Sequence, residues 1–278
     1  MPELPEVETV VRNLREPLIG RTIQSVWYDW DRVIQTPSPS EFVDRIVGQT
    51  FRAINRRAKY IICELDHDYL IIHLKMTGRL FVVDADAVKE SDRWVHFRLD
   101  LDNGKQLRFS DSRKFGRVYL VNDIDTVTHP LGPEPLEPTF TVAAFQERLA
   151  GRSKQIKALL LDQTFVAGVG NIYADEALFR AGIHPQVAAH QLTEAQHEKL
   201  HAAIRAALTA GINYEGASIS WYRKPDGTRG SSQNHFFVYG REGQSCLECG
   251  AIIRKIRIAQ RGTHFCPVCQ TLIGNDDE

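Results

Sequence analysis

The chain has 278 residues, of which 43% are hydrophobic and 25% are charged, and its net charge is −1. This length and composition are typical of a globular protein of about two domains. No apolar run approaches the roughly 20 residues that span a bilayer, and the N-terminus lacks the basic start and apolar stretch of a secretory signal. We therefore expect a cytoplasmic protein without a membrane partner.

The first predicted element is a helix at the N-terminus. Apolar residues recur on one helical face, and Gly20 follows as a stop signal. The apolar positions are Leu4, Val7, Val11, Leu14 and Leu18. Two prolines and three acids crowd the first eight positions. Helix initiation accounts for this pattern, and a second interpretation is that the terminus itself takes part in chemistry.

Short strands dominate the chain from this helix to about Val121. Apolar and polar residues alternate between turn residues, and no helical pattern separates the segments. Such an arrangement predicts a sandwich or a barrel. The segments are TIQSVWYDW, KYIICELD, YLIIHLKM, RLFVVD, VHFRLDL and KQLRFS.

A proline-rich segment, THPLGPEPLEPTF, is the best linker candidate. Beyond it the pattern becomes helical in AAFQERLAG, KQIKALLLDQ, NIYADEALFRAG and LTEAQHEKLHAAIRAALTAGI. We place the first domain at 1–128, the linker at 129–138, a helical domain at 139–238 and a final unit at 239–273. Within the helical domain, residues 215–234 are rich in Gly, Ser and Arg and predict a mobile loop.

Four of the five cysteines form two C-x2-C pairs separated by sixteen residues, Cys246 with Cys249 and Cys266 with Cys269. This spacing lets two knuckles present four thiolates to zinc, and metal binding would supply the folding free energy of so short a unit. Two disulfides are the alternative, but nothing indicates an oxidising compartment. We predict one structural Zn²⁺. Cys63, in an apolar strand, is predicted to be a core cysteine.

Basic residues cluster although the net charge is close to zero. Between the cysteine pairs, KIRIAQRGTHF is typical of a hairpin with Arg261 at its turn, and a fixed guanidinium there can bind a phosphate. Upstream, two glycines precede Asn171, a predicted N-cap, and the N–H groups of a helix start attract anions. Lys157, one helix earlier, is placed to share the same phosphate. The alternatives to phosphate binding are that Arg261 is an ordinary exposed arginine and that the glycine turn before Asn171 is an ordinary helix cap.

Together these segments resemble the bacterial formamidopyrimidine-DNA glycosylases, bifunctional enzymes that excise oxidised purines such as 8-oxoguanine. The resemblance covers nearly the whole chain and rests on MPELPEVE, RRAKY, HLKMTG, DSRKFG, VAGVGNIYADE and the four cysteines, in that order. It implies an α+β multidomain fold. The expected parts are an N-terminal helix with an antiparallel β-sandwich, a helix-two-turn-helix domain and a four-cysteine zinc finger, with DNA held in the cleft between them.

The resemblance gives the first residues a chemical role. Met1 is removed, and the amine of Pro2 attacks C1′ of the damaged nucleotide and forms a Schiff base. Glu3 acts as general acid and base on the sugar ring oxygen, and Glu6 supports the proline. The pKa of a terminal amine is about 8 and that of a lysine side chain is about 10.4, so a larger fraction of the terminal amine is unprotonated and nucleophilic at neutral pH. Strand cleavage by β- and then δ-elimination follows.

The resemblance also implies the residues that assist cleavage and contact DNA. Lys59 and Arg261 contact phosphate and assist elimination, and Lys157 and Asn171 are phosphate-binding positions. The target base must leave the stack. An apolar wedge, a cation and an aromatic ring then fill the gap, and residues 215–234 cover the extruded base. The gap-filling residues are Met76, Arg113 and Phe115, and His73 and His96 complete the DNA-binding set; without the resemblance, Met76 and Phe115 are typical of a strand end in the core.

Two positions depart from the family pattern. Trp94 stands where relatives often have a second histidine before His96, and RKF replaces RRF at positions 113–115. The enzyme alternative is an endonuclease VIII type that prefers oxidised pyrimidines, and the second alternative is a non-catalytic zinc-finger protein that binds damaged DNA. Pro2 and Glu3 argue against the latter. We expect a monomer near the nucleoid, acting on double-stranded DNA with an oxidised base or an abasic site.

Overall fold

The computed structural model describes residues 1–272, so residue 273, the predicted end of the final unit, lies outside the described residues. The chain divides into two compact units. The first contains Met1–His129 and Tyr214–Ser231, and the second contains Pro130–Asn213 and the described residues from Ser232 onward. We call Tyr214–Ser231 the returning loop. Sequence alone assigned all of it to the helical domain at 139–238, whereas the structure packs it with the first unit.

Helix α1 (Leu4–Leu18) confirms the first predicted element. All five of its periodic apolar side chains are completely buried. Gly20 follows with a φ of +83°, a left-handed conformation that glycine adopts without strain. The apolar face therefore fixes α1 in the core, and the glycine ends it.

Nine strands of the first unit form two sheets, ordered β1-β7-β8-β6 and β2-β9-β5-β4-β3. Neighbouring strands are antiparallel except β2 and β9, which run parallel. Buried side chains of both sheets and of α1 form one core, which confirms the sandwich. The strands are β1 (Ile23–Tyr28), β2 (Ile34–Thr36), β3 (Ala53–Arg57), β4 (Tyr60–Glu64), β5 (Tyr69–His73), β6 (Arg79–Asp84), β7 (Val95–Leu101), β8 (Lys105–Ser110) and β9 (Arg117–Val121).

Two short helices of the first unit have no counterpart in the sequence prediction, α2 (Pro39–Ile46) and α3 (Asp125–Thr128). The start of α2 lies in a Pro- and Ser-rich stretch that is typical of a turn. Ser38 caps it by accepting a hydrogen bond from the N–H of Glu41 at 3.4 Å, and Pro39 occupies the first turn, where its missing N–H costs nothing.

The second unit contains four helices and a zinc-finger hairpin. Helices α6 and α7 pack so closely that a Cβ on Gly211 would lie 2.5 Å from the ring of Tyr173. The elements are α4 (Val142–Leu149), α5 (Ile156–Leu160), α6 (Asn171–Ala181), α7 (Glu194–Asn213), β10 (Arg254–Ile258) and β11 (Arg261–Phe265). Within residues 1–272, none of the helices has both the length and the apolar character needed to cross a membrane.

Candidate functional site

The first residues of the chain lie inside the first unit. Pro2, Glu3 and Glu6 are all buried. One carboxylate oxygen of Glu6 accepts a hydrogen bond from the N–H of Glu3 at 2.8 Å, and the other accepts one from the N–H of Ala217 at 2.7 Å. Glu6 therefore fixes both the backbone beside Pro2 and the base of the returning loop.

The returning loop is anchored at its base and in its middle. The side chain of Tyr222 belongs to the sandwich core, and its hydroxyl donates to the carbonyl oxygen of Glu215 at 3.2 Å. Burial and the nearby charge of Glu6 raise the pKa of Tyr222 above its usual range. A Cβ on Gly230 would come within 2.3 Å of two carbonyl oxygens of the loop, so the loop closes on itself only with glycine there.

Lys59 and His73 lie near the turn between β3 and β4. Ala58 has a φ of +52°, and Lys59, which follows it, is only 4% exposed. The Nδ1 of His73 accepts the N–H of Lys75 at 2.9 Å. Burial, together with the charges of Lys75 and Lys59, lowers the pKa of His73 to about 3. The ring is therefore neutral at physiological pH and carries its proton on Nε2, where it can donate to an acceptor.

The second histidine of the predicted DNA-binding set is held differently. His96 is buried on β7, and its Nδ1 lies 2.8 and 3.0 Å from the two carboxylate oxygens of Asp29. This pairing fixes the orientation of the ring.

The three predicted gap-filling residues lie together on the surface of the first unit. The Nη1 of Arg113 is 3.1 Å from the sulfur of Met76, and its guanidinium carbon is 4.5 Å from the ring centroid of Phe115. Met76 is 37% exposed and Phe115 is 43% exposed, so neither is a core residue. An exposed apolar side chain beside a cation and an aromatic ring is suited to entering a base stack.

Asp111 organises the loop that carries Arg113 and Phe115. It is buried, and its carboxylate accepts hydrogen bonds from the N–H groups of Arg113 at 3.2 Å, Phe115 at 2.8 Å and Gly116 at 2.6 Å. The hydroxyl of Thr77, next to Met76, donates to the same carboxylate. Sequence reasoning gave Asp111 no role, although an aspartate that opens a turn often bonds to the following N–H groups.

In the second unit, Lys157 is completely buried. Its ammonium lies 2.6 Å from the carboxylate of Asp175 and donates to the hydroxyl of Thr263 at 2.7 Å and the carbonyl of Gly262 at 3.3 Å. A buried charge needs such partners. The structure thus points this ammonium at protein groups, in contrast to the phosphate contact that the resemblance assigns to Lys157.

Asn171 is the first residue of α6, and Gly170 is the N-cap, so the predicted capping role of Asn171 is wrong. The backbone explains the shift, because Gly168 has a φ of +83° and Gly170 takes the extended conformation that precedes a helix. The amide of Asn171 instead donates to the carbonyl of Gly262 at 2.9 Å. Asn171 therefore contacts the residue that follows Arg261.

Arg261 is exposed at the start of β11. The hairpin turn itself consists of Ala259 and Gln260, with φ values of +47° and +61°. Arg261 pairs with Ile258 directly after this turn. The hairpin is thus as predicted, and Arg261 begins the second strand instead of occupying the tip.

The four finger cysteines present their sulfurs as one cluster, all within 4.8 Å of one another. The sulfurs of Cys246 and Cys269 are 3.9 Å apart, and those of Cys249 and Cys266 are 3.4 Å apart. Tetrahedral zinc with Zn–S bonds of about 2.3 Å places its sulfurs about 3.8 Å apart, and a disulfide needs about 2.05 Å. The cluster therefore fits one structural zinc and not two disulfides.

Three family models match consecutive parts of the chain. Residues 1–118 match the formamidopyrimidine-DNA glycosylase N-terminal domain, residues 131–223 match the H2TH domain of the same enzyme, and residues 243–272 match a zinc finger found in FPG and IleRS. The formamidopyrimidine-DNA glycosylase of Chloroflexus aurantiacus is 48% identical over 274 residues, which cover 97% of this chain and 98% of the relative.

The chain belongs to the formamidopyrimidine-DNA glycosylase family. Solved structures of the family agree with its fold. A Lactococcus lactis FPG mutant bound to DNA containing Fapy-dG superposes with a TM-score of 0.91 at 40% identity, covering 98% of this chain and 100% of that one. MutM in complex with DNA containing carbocyclic 8-oxo-G gives 0.89 at 39% identity, with the same coverage. The predicted family and the predicted architecture are both confirmed.

Within this family frame, the structure gathers the predicted residues into local groups. In the first unit these are the buried Pro2, Glu3 and Glu6, and the exposed set around Arg113. In the second unit, Lys157 and Asn171 converge on the carbonyl next to Arg261. The catalytic and DNA-binding roles of these residues remain predictions.

Proposed function

We propose that this protein removes oxidised purines, such as 8-oxoguanine and formamidopyrimidines, from double-stranded DNA and then cleaves the strand at the resulting abasic site. Membership of a family of DNA glycosylases and AP lyases supports the general reaction. The structural observation that carries the proposal is the burial of the residues that follow Met1, where buried Pro2 is adjacent to buried Glu3 and the N–H of Glu3 bonds to the carboxylate of buried Glu6.

Base release begins at the nitrogen of Pro2, once Met1 has been removed. The nitrogen attacks C1′, a C1′–N bond forms, and the glycosidic bond breaks. The base leaves with the electron pair of that bond and takes up the proton that the amine releases. Glu3 donates a proton to the ring oxygen O4′ as the C1′–O4′ bond breaks, and the nitrogen lone pair completes a cationic iminium.

Strand cleavage follows from the acidity of C2′ beside the iminium. Loss of a C2′ proton expels the 3′ phosphate, and a second elimination expels the 5′ phosphate. We assign assistance in these steps to Lys59 and Arg261. Zinc takes part in none of them. It holds the finger that carries Arg261, because its binding free energy stabilises a unit with little core of its own.

The exposed set of Met76, Arg113 and Phe115 is suited to the gap that base extrusion leaves. The sulfur and methyl group of Met76 provide an apolar wedge, Arg113 provides donors for the orphaned partner base, and the ring of Phe115 can stack on a neighbouring base. We assign the cover over the extruded base to the returning loop. We expect the protein to act as a monomer, because one chain is sufficient to bind a single lesion. We expect it to be located with the nucleoid in the cytoplasm.

Borohydride trapping tests the proposal. The purified protein is mixed with a duplex that carries one 8-oxoguanine, reduced with sodium borohydride, and the crosslinked peptide is located by mass spectrometry. An adduct on Pro2 is expected, because reduction converts the iminium into a stable amine. A duplex with thymine glycol is the control for pyrimidine specificity.

The variant Glu3→Gln separates catalysis from binding. It should lose base excision while its affinity for the 8-oxoguanine duplex stays unchanged, since the amide keeps the shape of the side chain but cannot donate the proton. Tight binding by the wild-type protein without any adduct would refute the lyase assignment. An adduct on an internal lysine would refute the role of Pro2.

A further inference from the structure

Two tryptophans join the returning loop to the sandwich. The rings of Trp94 and Trp221 meet edge to face, with centroids 5.7 Å apart and planes at 88°. Trp94 ends a 3-10 turn (Glu90–Trp94) just before β7, and Trp221 lies in the returning loop, where it is 49% exposed. The guanidinium carbon of Arg93 lies 3.9 Å from the ring centroid of Trp94.

This geometry is that of an attractive contact. Aromatic rings prefer edge-to-face pairs at such distances, because the positive edge of one ring meets the negative face of the other. A guanidinium within about 6 Å of a tryptophan face is attracted to it as well. Arg93 thus adds a second contact that holds the indole of Trp94 in place.

The contact lies in the part of the loop that the core leaves exposed. Ala217 is fixed to Glu6 on one side of this stretch, and Tyr222 is buried in the core on the other. Between these points, Ile219 and Trp221 are both 49% exposed. Ala217 and Tyr222 leave residues 219–221 exposed between them, and Trp94 contacts this exposed stretch through Trp221.

We propose that Trp94 is a positioning residue, which acts through Trp221 to hold residues 219–221 in the conformation that receives the extruded base. This inference rests on the proposed function, because it needs a base to be received. It goes beyond that function by assigning a task to a residue outside the predicted site. Arg93 supports the same task by orienting Trp94.

The inference separates two reactions of one enzyme. Excision of 8-oxoguanine needs the loop in its receiving conformation. Cleavage of a preformed abasic site has no base to receive, so it does not need this conformation. Loss of the tryptophan contact should therefore slow the first reaction and spare the second.

Single-turnover rates on the two substrates test this. For Trp94→Ala, 8-oxoguanine excision is expected to fall about threefold to tenfold, the range that corresponds to loss of one aromatic pair, with abasic-site cleavage within about twofold of wild type. Trp94→Phe should restore most of the rate, because a phenyl ring can still meet Trp221 edge to face. Trp27→Ala is the matched control, since Trp27 is 39% exposed with Arg98 5.0 Å from its ring centroid, and it should change neither rate.

A double-mutant cycle with Trp221→Ala shows whether the two rings act together. The double variant should excise 8-oxoguanine no more slowly than the slower single variant, because the contact is already lost. If Trp94→Ala does not fold, Trp221→Ala carries the test, and the same split between substrates is expected.

Three results would overturn the inference. These are an unchanged excision rate in Trp94→Ala, an equal loss on both substrates, which would indicate a direct DNA contact, and independent effects in the cycle. Failure of the proposed function is distinguishable, because the wild-type protein itself would then neither excise 8-oxoguanine nor form an adduct.

Discussion

At the scale of residues, buried carboxylates hold the irregular segments of this protein. Glu6 accepts hydrogen bonds from the N–H groups of two segments that are more than 200 positions apart in sequence. Asp111 accepts them from the N–H groups of three residues of one loop, Arg113, Phe115 and Gly116. Glu176 on α6 accepts the N–H groups of residues 237–239 at 3.0 Å each. Burial nevertheless raises the pKa of Glu176, because its desolvation outweighs these bonds. Where loops enter the core, these carboxylates thus supply the hydrogen-bond partners that backbone N–H groups find in helices and sheets.

Asp111→Asn tests this role at the surface that carries Arg113. The amide has one acceptor oxygen and would turn donors toward N–H groups, so at least one buried donor loses its partner. The free energy of unfolding is expected to fall by about 1–3 kcal/mol, as measured by urea denaturation, and affinity for duplex DNA should fall with it because the loop is displaced. Asp86→Asn is the control, since Asp86 is exposed and should shift the unfolding free energy by less than about 0.5 kcal/mol. Equal stability of the two variants would contradict the assignment.

At the scale of elements, the sequence predicts best the helices and strands whose buried residues recur at a regular spacing. Helix α1 and the six alternating segments lie where they were predicted, because one face of each fills the common core. Strands β2, β3 and β9 were not among the segments named from the sequence; β2 is only three residues long, and β3 buries only one of its five residues. The sequence could not show that the returning loop packs with the first unit, because its partners there, Glu6 and the core around Tyr222, are distant in sequence. The resemblance named candidate site residues, but it gave no role to Asp111 or Asp175, although both stand in its motifs, because their partners become visible only in the folded chain.

Lys157 joins three elements of the second unit, since its partners Asp175 and Thr263 lie on α6 and β11. Lys157→Met should lower the free energy of unfolding by about 3–5 kcal/mol, because the carboxylate of Asp175 is left buried without its cation. Adding Asp175→Asn removes that charge, keeps an acceptor for the N–H of His264, and should recover most of the loss. Thermal and urea unfolding measure both changes.

The dependence of DNA affinity on salt separates this role from phosphate binding. Loss of one phosphate contact lowers the slope of log K against log salt by about 0.9. In the stable double variant we expect an unchanged slope, because the ammonium of Lys157 faces protein groups. A lower slope with unchanged stability would favour the phosphate contact that the resemblance implies.

At the scale of the whole molecule, the two units reach stability by different means. The first has a continuous core shared by two sheets and α1, and Cys63 is buried in it. In the second, the finger core is small and includes two of the zinc ligands, Cys246 and Cys266, together with Phe179 of α6. The finger should therefore depend on metal, whereas the first unit should not.

Zinc removal tests this difference. Native mass spectrometry should find one zinc per chain, and chelation should release it with a loss of DNA affinity, because Arg261 lies on the hairpin between the two ligand pairs. Iodoacetamide should then alkylate four cysteines and spare Cys63, which is completely buried and whose thiol pKa is raised to about 12 by desolvation. Alkylation of Cys63 together with the others would mean that metal loss unfolds the first unit too. Full DNA affinity without zinc would mean that packing alone holds the hairpin of the finger, which would contradict the metal dependence inferred from its small core.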